Sequence, residues 1–216
     1  MKKKTTRTQA ERLRQAIRHR QVQEKRELRQ TIVATAGELF LEQGYDHFSL
    51  RKVAERIGYS PTTIYLYFRD KDDLLFTVVD EGFTRFGQQL QAAAASTEDP
   101  WERVIALGRA YIAFGLQNQL YYQLMFMQRA DFLTYERKGE GQPRLATFVV
   151  LQKAVQQAIE AGVIRPGDAE TYSNVLWAMV HGMVSLAISL PAFYGTRLQQ
   201  TMEAAWQMEF EGFRLQ

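Results

Sequence analysis

The sequence predicts an all-α protein, a three-helix unit followed by a larger helical unit, and three observations carry that prediction. No run of residues alternates apolar and polar over a useful length, and no internal repeat is present; apolar residues recur at helical spacing instead. Gly44, Gly58, Ser49, Ser60-Pro61 and Asp70 fall where helix ends need them. The 216 residues are 46% hydrophobic and 24% charged, enough for a sizeable core. There is no cysteine, which excludes disulfides and thiol chemistry.

The net charge of +3 is unevenly spread. Residues 1–29 carry eleven Lys/Arg against three Glu, a balance of +8; residues 30–76 carry five basic against seven acidic, or −2, and residues 77–216 eleven against fourteen, or −3. The positive excess therefore belongs to an N-terminal arm, 1–29, that is polar and without an apolar stripe. No apolar h-region follows its basic start, so it is not read as a secretory signal. Its Arg, Gln and Glu content favours helix, which would extend the first core helix backwards. Such a concentrated basic arm attracts polyanions, nucleic acid first among them, although a solvated tail would carry the same charges.

A helix-turn-helix unit is expected over 30–76. In its first helix Ile32, Ala36, Leu39 and Phe40 make one buried face, and Gly44 follows as the terminating residue. Ser49 caps a second helix whose Leu50, Val53, Ala54 and Ile57 point inward, and Gly58 ends it. Ser60 caps the third helix, with Pro61 at the first helical position, where no amide hydrogen is missed. Asp70 caps a fourth, with Asp73 in its first turn and an apolar stripe of Leu75, Val79, Phe83, Phe86 and Leu90.

AAAASTEDP at 92–100 separates this unit from the rest. Helical segments follow at about 101–117, 119–130, 143–162, 168–190 and 197–215, with a mobile loop expected at 138–143. Asn174–Phe193 is long and apolar, but His181, Ser185, Ser189 and Pro191 interrupt it and no basic cluster flanks it. It reads as a buried helix rather than a membrane span.

Two short helices joined by a tight turn are the layout that presents one helix to the major groove of DNA. With Ser60 as cap, Ile64 and Phe68 take the buried face of the third helix. Thr62, Thr63 and Tyr67 then turn outward, with Tyr65 at the flank. Short hydroxyl side chains approach base edges and thymine methyls closely, and tyrosines at the rim suit phosphates. Ser49 and the amides behind it suit an anion, Arg51 can reach a phosphate or a base, and Lys71 offers a point charge. Each residue alone could be plain surface or core; the constellation is what points to DNA.

Residues 32–76 resemble the DNA-binding domain of the TetR family of transcriptional regulators. The matching residues are Ala36-x-x-Leu39-Phe40, Gly44-Tyr45, Leu50-Arg51-Lys52-Val53-Ala54, Ile57-Gly58, Thr63-Ile64-Tyr65-x-Tyr67-Phe68 and Lys71-x-x-Leu74-Leu75. The resemblance implies a cytoplasmic repressor that binds a palindromic operator in double-stranded DNA as a homodimer. It places DNA contacts at Ser49, Arg51, Thr62, Thr63, Tyr65, Tyr67 and Lys71, with Tyr59 and Ser60 in the turn as further contacts. The long basic arm departs from the family's usual short one and is expected to clamp phosphates or the minor groove.

For residues 77–216 the resemblance implies a small-molecule domain that dimerises through its last two helices. Trp177-Ala178-Met179-Val180-His181-Gly182 resembles the W-x-x-x-H-G signature of one subgroup. Ala178, Gly182, Ser185 and Ser189 form a small-residue stripe, and Leu198, Met202, Trp206, Phe210 and Phe213 a larger one; both suit a four-helix interface with C2 symmetry, or equally the core of one chain. Tyr111, Phe114, Tyr122, Phe126, Phe148, Trp177 and His181, with Tyr121, Met125 and Met127 near them, would line a site for a small apolar or aromatic effector, although such residues most often just fill a core. A regulator controlled by a protein partner, or by no ligand, is the nearer alternative. No phosphate loop, nucleophile elbow or HExxH is present, so an enzyme is not expected. With His19, His47 and His181 as the only histidines, neither a metal nor a cofactor is expected.

Overall fold

The computed structural model describes residues 9–128, 143–194, 197–210 and 212, and no β-strand occurs among them. The chain divides into two compact units, Met1–Val78 and Val79–Gln216.

The first unit holds α1 (Gln9–His47), α2 (Leu50–Ile57), α3 (Pro61–Tyr65) and the start of α4 (Lys71–Ala94). The arm from Gln9 onward is helix, continuous with the first core helix. Gly44, at φ 72° and ψ 173°, breaks the regular run, a conformation open to glycine alone. Ile32, Val33, Ala36, Leu39 and Phe40 are buried, and Phe48 meets Phe40 edge-on. Full burial of each large aliphatic side chain here contributes about 1.5–3 kcal/mol. Ser49 caps α2, its hydroxyl accepting from the Lys52 amide, and Gly58 ends the helix in the left-handed region at φ 74°. Ser60 caps α3 in the same way through the Thr63 amide. At α4 the caps are reciprocal: Asp70 accepts from the Asp73 amide at 2.8 Å, and Asp73 accepts from the Arg69 amide at 3.0 Å.

In the second unit α5 (Pro100–Gln117) is capped by Asp99, which accepts from the Trp101 and Glu102 amides. A short α6 (Gln119–Gln123) runs into π-helical Leu124–Gln128. Then come α7 (Pro143–Glu160), α8 (Ala169–Ser189), the brief α9 (Pro191–Tyr194) and α10 (Leu198–Ala205), which continues as π-helical Trp206–Phe210. The expected single helices at 119–130 and 197–215 thus contain wider turns that a 3.6-residue pattern does not foretell. Pro191 stops α8 by pushing Leu190 out of helical geometry, to φ −130° and ψ 58°. The expected loop at 138–142, Phe213 and the first eight residues lie outside the described residues. Nor is 174–193 a fully buried helix: α8 buries Leu176, Val180, Met183 and Val184 and exposes Val175 and Leu186.

α5 is the centre of this unit, packed against both α7 and α8. The approach to α8 is close. A Cβ on Gly115 would lie 2.4 Å from Val184 Cγ1 and 3.0 Å from the Tyr122 ring. Both neighbours are fully buried, and valine is stiff, so neither can yield cheaply. Gly115→Ala should therefore lower stability by about 1–2 kcal/mol, overpacking of about 1–3 kcal/mol outweighing the gain in helix propensity. Urea midpoints measure this; an unchanged or raised midpoint would show that the contact can relax.

Candidate functional site

Each unit presents one cluster of interest. On the first, Arg51, Tyr59, Ser60, Thr62 and Tyr65 are exposed, while Ser49, Thr63, Tyr67 and Lys71 are half-buried. Arg51 has no hydrogen bond or ion pair among the described residues. The cations beside it are occupied. Lys52 donates to Gln43 Oε1 at 2.7 Å and to the His47 carbonyl at 2.8 Å, and Arg56 holds both carboxylate oxygens of Glu42.

Two of these residues have neighbours that the sequence does not foretell. Thr63 is drawn into the cap, its hydroxyl 2.9 Å from that of Ser60. Tyr67 lies past the last regular residue of α3 and is half-buried, with Lys25 Nζ of the arm 5.8 Å from its ring centroid. Arg29 lies near the Phe68 ring similarly, at 5.4 Å. Lys71 is also engaged, with Nζ 3.2 Å from the Tyr45 carbonyl oxygen and 3.7 Å from the Tyr45 ring centroid; the Tyr45 hydroxyl in turn donates to Asp72 at 2.7 Å. Sequence reasoning passed over Lys25 and Arg29, whose ring contacts are distant in sequence. It also passed over Leu66, which its place four residues after Thr62 could have put on the outward face.

In the second unit, Tyr111, Phe114, Tyr122, Phe126, Phe148, Trp177 and His181 come together in one cluster. Phe126 is its hub, within 5.0 Å of the Tyr122 ring, 5.7 Å of His181 and 6.5 Å of Trp177, and Phe148 meets Trp177 edge-on at 6.1 Å. Phe114 stands behind the cluster, buried against Phe86 at 4.9 Å. α4 contributes two rings: Phe83 at 5.4 Å and Phe86 at 6.3 Å from Phe126. Their helical stripe marks them as core, and only α6 and the π-turn bring Phe126 to them.

A chain of hydrogen bonds runs through these rings. Trp177 Nε1 donates to the Tyr111 hydroxyl at 3.2 Å, which lies 3.1 Å from the Tyr122 hydroxyl. Tyr122 is 2.6 Å from His181 Nδ1, and His181 Nε2 is 3.3 Å from Ser185 Oγ. Burial pushes Tyr122 up to about 12 and Tyr111 well above the ordinary phenol range, so both are neutral donors. Burial also lowers His181, which favours neutral imidazole. The indole donates to Tyr111, and both tyrosine hydroxyls lie within reach of Nδ1, Tyr122 at 2.6 Å and Tyr111 at 3.2 Å. With Nδ1 accepting from these neutral phenols, the imidazole proton sits on Nε2, toward Ser185. Every member is satisfied with no charge.

A capped helix-turn-helix followed by a helical unit that carries an aromatic cluster defines a class of DNA-binding regulator. Residues 32–78 match the family described as bacterial regulatory proteins, tetR family, and residues 104–212 match the tetracyclin repressor-like C-terminal domain. The chain belongs to the TetR family of transcriptional regulators, and it is a regulator rather than an enzyme. It is 28% identical over 144 residues to the HTH-type transcriptional regulator HbdR of Aromatoleum sp. (strain CIB), covering 65% of this chain and 61% of that one. It is 28% identical over 171 residues to the HTH-type transcriptional repressor BepR of Brucella suis biovar 1 (strain 1330), covering 74% and 79%. A solved protein of unknown function from Rhodococcus sp. RHA1 superposes with a TM-score of 0.72 at 27% identity, over 87% of this chain and 96% of that one. Among the described residues no helix is long and apolar enough to cross a membrane.

The His181 chain has a consequence for stability. Because burial holds the folded imidazole below its ordinary 6.5, the unfolded chain takes up a proton first as the pH falls. Stability is therefore unaffected by this group above pH 6.5 and is lost as the pH drops through the window beneath it. His181→Gln should flatten that loss in urea melts across the window; equal slopes in both proteins would show that His181 is not the group responsible.

Proposed function

We propose that this regulator is a cytoplasmic repressor that binds a palindromic operator as a homodimer and responds to a small apolar or aromatic effector. The observation that carries the reading is the aromatic cluster in which α4's Phe83 and Phe86 stand, since α4 begins as the last helix of the helix-turn-helix unit. A ligand that shifts Phe126 presses directly on α4. Coupling of about 1–3 kcal/mol through that helix is the usual scale for such control. It would act by moving two recognition helices out of match with major grooves about 34 Å apart. Trp177 and His181, the named positions of the W-x-x-x-H-G pattern, both sit in this cluster and support placement in that subgroup.

The dimer reading rests on the outer face of α8. Val175, Ala178, Gly182 and Leu186 recur there at i, i+3, i+7 and i+11, half-buried or exposed, and a Cβ on Gly182 would meet nothing within 4 Å. Ser185, expected in this stripe, instead faces His181. An apolar face with a gap suits a second copy packed backbone to backbone. BepR's description as a repressor supports the direction of control.

The DNA reading assigns Ser49, Arg51, Tyr59, Ser60, Thr62, Thr63, Tyr65, Tyr67 and Lys71 to the interface, with Arg51, Thr62 and Tyr65 presented most openly. The arm extends it. Arg14, Arg18, Lys25 and Arg29 follow one another at four-, seven- and four-residue steps, one stripe of a helix. The acidic residues between them, Glu24 and Glu27, lie on the other side, held by Arg20 and Gln23. Lys25 and Arg29 already seat that stripe against the end of the recognition segment. Arg14 and Arg18 are exposed and without a partner among the described residues, so they suit phosphates beyond the half-site.

An operator selected from random duplex DNA tests the whole reading. Thr62→Ala with Tyr65→Ala should abolish preference for it while sedimentation still returns the mass of two chains; a monomeric parent, or preserved preference, would overturn the respective part. A panel of aromatic compounds should alter operator affinity, and no response would favour control by a partner protein. Arg14→Gln with Arg18→Gln should lower the slope of log affinity against log salt by about 1.8, at about 0.9 per lost phosphate contact, without changing sequence preference. An unchanged slope would remove the arm from the interface.

A further inference from the structure

We infer that Leu66 is a specificity residue that packs against the C5-methyl group of one thymine in each operator half-site. The inference rests on the DNA-reading assignment of α3 and adds a contact of a different chemistry to it.

Leu66 is 75% exposed, more than any other large hydrophobic residue of the helix-turn-helix. It is the C-cap of α3 yet keeps right-handed helical geometry, at φ −71° and ψ −17°, with its amide donating to the Thr63 carbonyl at 3.2 Å. Its direction can therefore be read from helical register. Leu66 lies four residues after Thr62, about 40° around the helix from it, and Ile64 lies about 200° from both Thr62 and Leu66. Ile64 is fully buried, so Thr62 and Leu66 share the face pointing straight away from the unit's core.

The other residue of that face, Thr62, is polar, and an exposed leucine beside it gains nothing from water. Phosphates, sugar oxygens and base-edge donors and acceptors would each lose hydration against a leucine without replacement. The major groove offers one apolar group, the thymine methyl. It is the part of duplex DNA that can cover this side chain without stranding a polar atom. The step Thr62–Leu66 then reads two kinds of feature from one helix face: a hydroxyl for a base edge, and a branched apolar tip for a methyl.

The test replaces thymine by deoxyuridine, which deletes the methyl and leaves base pairing intact. In the selected operator, deoxyuridine at one symmetric pair of positions should weaken binding of the parent protein about fourfold per half-site, the scale of one buried methyl group. Leu66→Ala should bind the parent operator more weakly and show no deoxyuridine penalty at that pair, while penalties elsewhere and the salt slope stay as they were. The inference is overturned if no position is sensitive in the parent protein, or if the penalty persists in Leu66→Ala. Failure of the DNA reading itself would look different, because no duplex would be enriched in the selection.

Discussion

One helix has to satisfy two cores. α4 buries Leu74, Leu75 and Val78 in the first unit and Val79, Phe83, Phe86 and Leu90 in the second, so its 24 residues carry apolar positions from end to end. Its start is fixed by the reciprocal Asp70–Asp73 cap and by Tyr45, whose ring lies under Lys71 and whose hydroxyl holds Asp72. Further along, Gly82 leaves room for Met125, since a Cβ there would lie 2.6 Å from the Met125 sulfur. The π-turn at Leu124–Gln128 thus presses one of its residues on α4's backbone and another, Phe126, on α4's rings. Any change of that turn is felt by α4 first, because interiors packed this closely have no slack to absorb it.

The charge pattern of the first unit follows a similar economy. Lys52, Arg56 and Lys71 sit near the recognition segment, yet each is spent on a neighbour: a helix-end carbonyl, a glutamate, a tyrosine ring. These ties join neighbouring helices of the unit. On the proposed DNA reading, attraction to the duplex would then rest mainly on Arg51 and on the arm, whose +8 balance outweighs the −2 of residues 30–76. That reading divides long-range attraction and sequence reading between different parts of one polypeptide.

What was legible in the sequence was local. Ser49, Gly58, Ser60 and Asp70 act through amides and carbonyls three or four residues away, so their spacing alone locates both ends of α2 and the starts of α3 and α4. Tyr111, Tyr122, Phe126, Trp177 and His181 group together in the sequence only by composition, as aromatic residues in segments with few charges; their packing depends on α6 and the π-turn. The misses are contacts that sequence distance hides or that compete for one atom. Thr63 was assigned outward, but its hydroxyl has a nearer partner in Ser60. Ser185 was assigned to a small-residue stripe, but four residues from His181 on a helix it faces Nε2. Nor does an arm without an apolar stripe give any sign that Lys25 and Arg29 would sit near the rings of Tyr67 and Phe68.

The polar chain inside the aromatic cluster bears on what an effector can be. Its members are neutral and mutually satisfied, so a charged ligand would find no counter-ion there, and Tyr111 and Tyr122 are too deeply buried to become one. A ligand that only stacks on Phe126, Phe148 and Trp177 leaves the chain intact and gains apolar area. One that carries a single hydroxyl or carbonyl can exchange with a link at the His181–Ser185 end, where the 3.3 Å contact is longer than the 2.6 Å bond from Tyr122. Toward Tyr122 the hydroxyls share partners, with Tyr111 and Tyr122 both near His181 Nδ1 and 3.1 Å from each other, which leaves a ligand group less to offer there. On the proposed reading, an effector seated here would bring apolar bulk to the rings and at most one hydrogen-bonding group, at the imidazole end.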